Sequence, residues 1–126
     1  MAARERDDTG GQDVLRRAGD ASVLILTSLA DGSKHGYALI QDIKGFAGLQ
    51  LGPGTLYGSL RRMIDAALIR EPGKRIDPEI DDERRVYYEM TGLGQQALAA
   101  ELQRYREVVA VAGRKRLSPK TVAYGS

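Results

Sequence analysis

Residues 51–69 constrain the chain more than any other stretch. A glycine-rich entry, Leu51-Gly-Pro-Gly54, leads into a run whose apolar residues return with a 3.6-residue period. Leu56, Leu60, Met63, Ile64 and Ala67 fall in one stripe. Thr55, Gly58, Arg61, Arg62 and Asp65 lie opposite, with Tyr57 and Ser59 on the two borders. Such a run is an amphipathic helix with one face committed to a core. Its other face combines adjacent arginines, hydroxyls and a small residue. A DNA major groove favours that mixture, because donors reach base edges and phosphates with no bulky residue between. The bland alternative is an ordinary solvated face. A nucleotide phosphate loop does not fit, since Ser59 follows Gly58 with no Lys-Ser/Thr pair and no strand comes before.

The flanking segments supply what that helix needs to pack against. Asp20 or Ser22 can cap a helix carrying Val23, Leu24, Ile25, Leu26 and Leu29, which is apolar on nearly all sides and so buried on more than one face. Asp31-Gly32-Ser33 ends it. A second helix is expected over about Gly36 to Phe46, with Gly36, Leu39, Ile40 and Ile43 inward and Tyr37, Gln41 and Lys44 outward. His35, the sole histidine, stands at its start and suits capping or packing. The order helix, helix, glycine-rich turn, amphipathic helix predicts a helix-turn-helix whose third helix is the recognition helix.

Beyond Leu68 the pattern changes to strands. Ile69 to Glu71 and Arg85 to Met90 read as a hairpin wing around a turn-forming stretch, Pro72 to Glu83. The base of this wing is basic (Lys74, Arg75, Arg84, Arg85) and its tip is acidic (Asp77, Glu79, Asp81, Asp82, Glu83). The alternating acids do not make a calcium loop, because Asp82 and Tyr88 stand where an EF-hand has its glycine and its last glutamate. Phosphates repel such a tip, which should point away from DNA or move freely.

Thr91 can cap a long last helix. In it Leu98, Leu102, Tyr105, Val109 and Ala112 recur at steps of 4, 3, 4 and 3, a heptad seam. Burying the seam against a second copy removes apolar area worth roughly 25 cal/mol per Å². Packing on the chain's own first helix is the competing reading.

The expected fold class is α+β, mainly α: a winged helix-turn-helix of three helices and a two-stranded wing, with a C-terminal dimerisation helix. The expected divisions are a disordered arm over 1–12, the DNA-binding domain over 13–91 (its first helical turn over 13–18), the dimerisation helix over 92–117 and a tail over 118–126. Composition agrees without deciding the matter. The chain has 126 residues, 42% of them hydrophobic, enough for one domain with a core. Net charge is only +2, from 19 Lys and Arg against 17 Asp and Glu, so placement of charge says more than its total. One His and no Cys leave little material for a nucleophilic triad or a zinc site, and we expect neither catalysis, metal nor cofactor. No signal-peptide pattern and no apolar run near roughly 20 residues is present, so a cytoplasmic protein without membrane contact is expected.

These residues resemble the PadR-type transcriptional regulators. The likeness rests on His35-Gly36-Tyr37, Gly54-Thr55-Leu56-Tyr57, Leu60, Arg62, the Leu68-Ile69 exit, and Tyr87-Tyr88 followed by Thr91 and Gly94. It covers about residues 20–110. The resemblance implies a repressor that dimerises through its last helix and binds an inverted-repeat operator in double-stranded DNA. It also implies release by a small aromatic effector, held near Tyr105 and the first helix. The single short last helix is similar to the smaller branch of the family. The chain departs from the family pattern at Gly58, where Pro is usual, at Ala67, where Gly is usual, and at Val86, where a basic residue is common. It has no Trp, and Tyr105 stands near a common Trp position.

Candidate DNA contacts are therefore Tyr37, Lys44, Thr55, Tyr57, Ser59, Arg61, Arg62, Lys74, Arg75, Arg84 and Arg85. Candidate dimer contacts are Leu98, Leu102, Tyr105, Val109 and Ala112. The alternative function is a winged-helix module that docks a protein through the same surface, which the near-neutral charge and acidic wing tip favour.

Overall fold

The computed structural model describes residues 20–72 and 86–115. The expected N-terminal arm, the turn over 13–18, the wing from 73 to 85 and the tail lie outside these residues. In order the elements are α1 (Asp20–Leu29), β1 (Lys34–His35), α2 (Gly36–Ala47), α3 (Pro53–Asp65), β2 (Ile69–Arg70), β3 (Tyr87–Met90) and α4 (Gly92–Arg114).

The apolar sides of α1 decide the packing. Val23, Ile25, Leu26 and Leu29 are all buried, and α1 touches α2, α3, α4 and β3. Leu39 and Ile43 of α2, Leu56, Leu60 and Met63 of α3, and Ala97 and Leu98 of α4 complete the core around it with Leu51, Leu68, Ile69 and Tyr88. Ser22 is the third residue of α1 and is buried, so it is not the cap. The Ser28 hydroxyl donates to Asp42 Oδ2 at 2.5 Å and ties α1 to α2. Lys34 reaches back to the Ser28 carbonyl and the Asp31 carboxylate, which closes the turn between them.

α2 opens as its sequence suggests. His35 Nδ1 accepts from the Ala38 backbone N–H at 3.1 Å, which satisfies one of the donors left open at a helix start. Its ring also meets Tyr87 edge-on, with centroids 5.5 Å apart. α2 ends on Gly48 in the left-handed conformation (φ 67°), whose N–H returns to the Lys44 carbonyl. α3 begins earlier than the periodicity from Thr55 implies, with Gly52 at the cap and Pro53 in the first turn, where its missing N–H costs nothing.

The sheet has three strands, in the order β1-β3-β2, both pairs antiparallel. The expected two wing strands, β2 and β3, are paired, and β1 adds a third strand on the other edge of β3. Lys34 and His35 pair with Tyr88 and Tyr87, while Ile69 and Arg70 pair with Met90 and Glu89. Two residues carry no alternation, so β1 leaves no period in the sequence. Arg70 and Glu89, directly opposite one another, form an ion pair at 2.6 Å.

Ala67 does not continue the stripe of α3. It is exposed, with φ 62°, immediately past the helix. Its N–H bonds to the Ile64 carbonyl and that of Leu68 to the Met63 carbonyl, both at 2.9 Å. These are the two bonds of a Schellman turn, with Ala67 at the position glycine usually fills. Thr91 clasps the same turn. Its N–H bonds to the Leu68 carbonyl at 3.1 Å and its hydroxyl donates to the Ala67 carbonyl at 2.6 Å. The hydroxyl also accepts from the Gly94 N–H at 3.0 Å, which caps α4. A Cβ at Gly94 would lie 2.1 Å from the Leu68 carbonyl oxygen, so only glycine lets α4 start here.

A left-handed alanine costs about 1–2 kcal/mol, and glycine returns part of that to the unfolded chain. Ala67→Gly is therefore expected to stabilise the protein by about 0.5–1 kcal/mol in urea unfolding; a less stable variant would contradict strain at this position.

Candidate nucleic-acid interface

Because the apolar stripe of α3 is spent on the core, its opposite face is left to solvent. Thr55, Arg61 and Arg62 are exposed and Tyr57 is half exposed. Tyr37, 62% exposed, and Lys44 extend this polar surface onto α2. Tyr37 stacks alongside the capping His35, at 6.5 Å between ring centroids and 14° between planes. The fit between α2 and α3 depends on a glycine. A Cβ at Gly36 would come within 2.5 Å of the Tyr57 hydroxyl, so the absence of a side chain lets that ring rest over the start of α2. Tyr57 and Tyr37 are thereby brought to the same end of the motif.

Ser59 requires a correction. It is fully buried, on the core side of its border, and its hydroxyl accepts from Arg62 Nη2 at 3.2 Å. It therefore positions an arginine and offers nothing to a groove itself. Gly58 also differs from expectation. It is half-buried, and a Cβ there would lie 3.6 Å from Arg62 Nη1. Gly58 and Ser59 together form the seat on which the Arg62 guanidinium rests. Lys74, Arg75, Arg84 and Arg85 lie outside the described residues.

Toward its C-terminal end the surface of α3 becomes acidic. A cleft of about 310 Å³ opens between α3 and the root of the wing, lined by Tyr57, Leu60, Arg61, Ile64, Asp65, Glu71 and Tyr88. The Tyr88 hydroxyl titrates above the ordinary tyrosine value, first because the residue is buried, then because Glu71 and Tyr57 lie nearby. Periodicity marks none of this, since Glu71 and Tyr88 meet α3 only through the sheet.

The proposed dimer seam divides. Leu98 is buried in the chain's own core, and Tyr105 packs half-buried against it; both belong to the intramolecular reading. Leu102 and Val109 are exposed, Val109 by 53%, and Ala112 is half-exposed. Val108 and Val111, which the heptad omits, are exposed beside them. With Arg104, Glu107, Ala112 and Lys115 they line an apolar groove of about 560 Å³. Glu101, 1% exposed, holds the Arg104 guanidinium through two hydrogen bonds, of 2.8 and 3.2 Å. That guanidinium also lies over the Tyr105 ring, 5.2 Å from its centroid. Among the described residues no cluster of metal-ligating side chains occurs, and no helix is long and apolar enough to cross a membrane.

Residues 25–100 match the transcriptional regulator PadR-like family. The chain belongs to that family. The fold is similar to a PadR family transcription regulator from Clostridium difficile, with a TM-score of 0.65 and 27% identity over 76% of this chain and 97% of that one. A PadR-like transcription factor from Bacteroides fragilis superposes with a TM-score of 0.65 at 24% identity, covering 79% of this chain and 92% of that one. In sequence the chain is 48% identical over 54 residues to a 37.1 kDa transposon protein of Streptomyces fradiae. That stretch is 43% of this chain and 16% of the relative, so the match spans a small part of the longer protein. Membership makes the fold the winged helix-turn-helix of PadR-like transcriptional regulators, and the α3 face its DNA-facing candidate.

The seat under Arg62 has room for one more methyl group, since 3.6 Å is ordinary van der Waals contact. Gly58→Ala should therefore stabilise the fold by about 0.5–1 kcal/mol, the helix-interior difference between the two residues, in thermal unfolding. A loss of stability would show that Arg62 cannot adjust.

Proposed function

We propose that this chain is a dimeric, sequence-specific DNA-binding repressor, released from its operator by a small-molecule effector. The observation that carries the reading is the solvent face of α3. Its buried stripe fixes the helix firmly, while Thr55, Tyr57, Arg61 and Arg62 are left together on the outside with Tyr37 and Lys44 beside them. In this reading α3 enters the major groove, Thr55, Arg61 and Arg62 meet base edges, and Tyr37 and Lys44 grip phosphates. Lys74, Arg75, Arg84 and Arg85 at the base of the wing extend the grip along the backbone.

The second half of α4 supports the dimer reading. There Leu102, Val108, Val109 and Val111 are exposed, and Val108 and Val111 line a groove that nothing in the chain fills among the described residues. A second copy supplies the same apolar face, and a two-fold arrangement sets the two α3 helices roughly 34 Å apart, one turn of DNA, on an inverted repeat. Leu98 stays in the core, so the interface begins at Leu102 and includes Val108 and Val111.

Arg62→Ala should weaken binding to an operator fragment recovered by selection by about tenfold to a hundredfold, the range for one base-contacting arginine. Its midpoint of unfolding should stay within a degree or two, because the residue is exposed. Undiminished affinity at physiological salt would remove α3 as the reading helix. Failure to retain any genomic fragment at low salt would favour a protein partner instead. For the dimer, Val108→Glu places a charge in the groove and should shift the sedimentation coefficient from that of a dimer toward a monomer; a wild-type chain that sediments as a monomer at micromolar concentration would overturn the interface.

A further inference from the structure

The cleft between α3 and the root of the wing shares Tyr57 and Arg61 with the proposed DNA face, but its other residues have no part in that reading. Its walls are Leu60 and Ile64, apolar, with the rings of Tyr57 and Tyr88. Asp65 and Glu71 put two carboxylates on its rim against one guanidinium, that of Arg61. Arg61 and Asp65 stand one helical turn apart, yet among the described residues no ion pair joins them, and Glu71 has none either. Below them Tyr88 is more than nine-tenths buried, and among the described residues its hydroxyl has no hydrogen-bond partner. The hydroxyl is not sealed off with the rest of the side chain but opens on the cavity that Tyr88 lines.

Phosphate is a poor occupant, since two carboxylates against one guanidinium leave the rim net negative. An apolar molecule would leave the Tyr88 hydroxyl and both carboxylates unanswered. A flat aromatic body fits between apolar side chains and tyrosine rings, and a planar cationic head can donate to a carboxylate and to the phenol oxygen. About 310 Å³ is at the lower end of the range for small-molecule sites, which limits the occupant to one or two rings. We propose that the cleft lined by Leu60, Ile64, Tyr57, Tyr88, Asp65 and Glu71 is a binding site for a small flat aromatic cation of the amidine or amine class. The site is separate from the groove on α4 and exists in the free chain, whatever α3 binds.

The test uses the full chain without DNA, titrated at constant ionic strength with benzamidine, with its uncharged isostere benzamide, and with benzoate. Amide resonances are followed in ¹H–¹⁵N NMR spectra. Benzamidine should give saturable shifts at Leu60, Arg61, Ile64 and Tyr88 and bind about tenfold more tightly than benzamide, as expected for charge-assisted hydrogen bonds; benzoate should give none. The double variant Asp65→Asn/Glu71→Gln, whose first position is an exposed surface residue, should bind benzamidine no better than benzamide while keeping its native spectrum. Equal affinity for benzamidine and benzamide, shifts confined to α4, or undiminished binding by the double variant would each overturn the proposal. Because no DNA is present, these outcomes are distinguishable from a failure of the DNA-binding reading.

Discussion

The clasp that Thr91 places on the turn after α3 is the constraint on which the rest of the structure depends. One residue joins three elements: its hydroxyl donates to the Ala67 carbonyl just past α3 and accepts from the N–H that begins α4. Its backbone takes the next carbonyl, that of Leu68. Leu68 and Ile69, fully buried, then lead directly into β2. A hydroxyl has one hydrogen to donate and can accept as well, so it can serve a helix end and a helix start at once. Gly94 lets the two backbones approach closely enough for this to happen. The direction of α4 and the position of the wing root relative to α3 are thus set at a single point.

From that point the two ends of α3 acquire different chemistry. Near its start, Gly36 makes room for Tyr57, and the α2 and α3 surfaces merge into one polar face. In its middle, Gly58 and Ser59 seat Arg62. Near its end, Asp65 meets Glu71 and Tyr88, which the sheet brings there from far along the chain. Basic and acidic halves of one helix face are therefore adjacent, and a modest net charge of +2 conceals the separation. α4 divides similarly. Ala97, Leu98 and Glu101 are buried against the chain itself, while Val108, Val109 and Val111 continue beyond that cover into solvent.

Much of this was legible in the residues. The helical periods over α2, α3 and α4, the His35 and Thr91 caps, and the PadR-type order of short motifs all pointed to the fold that the structure shows. These signals are local: a cap or an amphipathic period is a relation among residues within one or two turns. The misreadings are equally instructive. Ser59 reads as a groove contact and Ser22 as a possible cap, yet both are fully buried. Ala67 falls in phase with the α3 stripe, but the helix has already ended in a Schellman turn. β1 is too short to show a period and exists because β3 offers it an edge. The heptad selected Leu98, which belongs to the core, and passed over Val108 and Val111, because a wheel does not reveal where the body of the protein stops.

The sequence by itself determined which segments become helices, where α2 and α4 begin, and that α3 has one face for a core and one for something charged. Propensity, capping and periodicity act over short distances along the chain, so no knowledge of the fold is needed to read them. Tertiary structure alone decided which polar residues are exposed, which half of α4 is free, and that Tyr57, Asp65, Glu71 and Tyr88 share one cleft. Those facts depend on which surfaces of distant segments meet. That is settled by burial of the α1 core and by the clasp at Thr91, whose bond to the distant Ala67 carbonyl no local pattern marks.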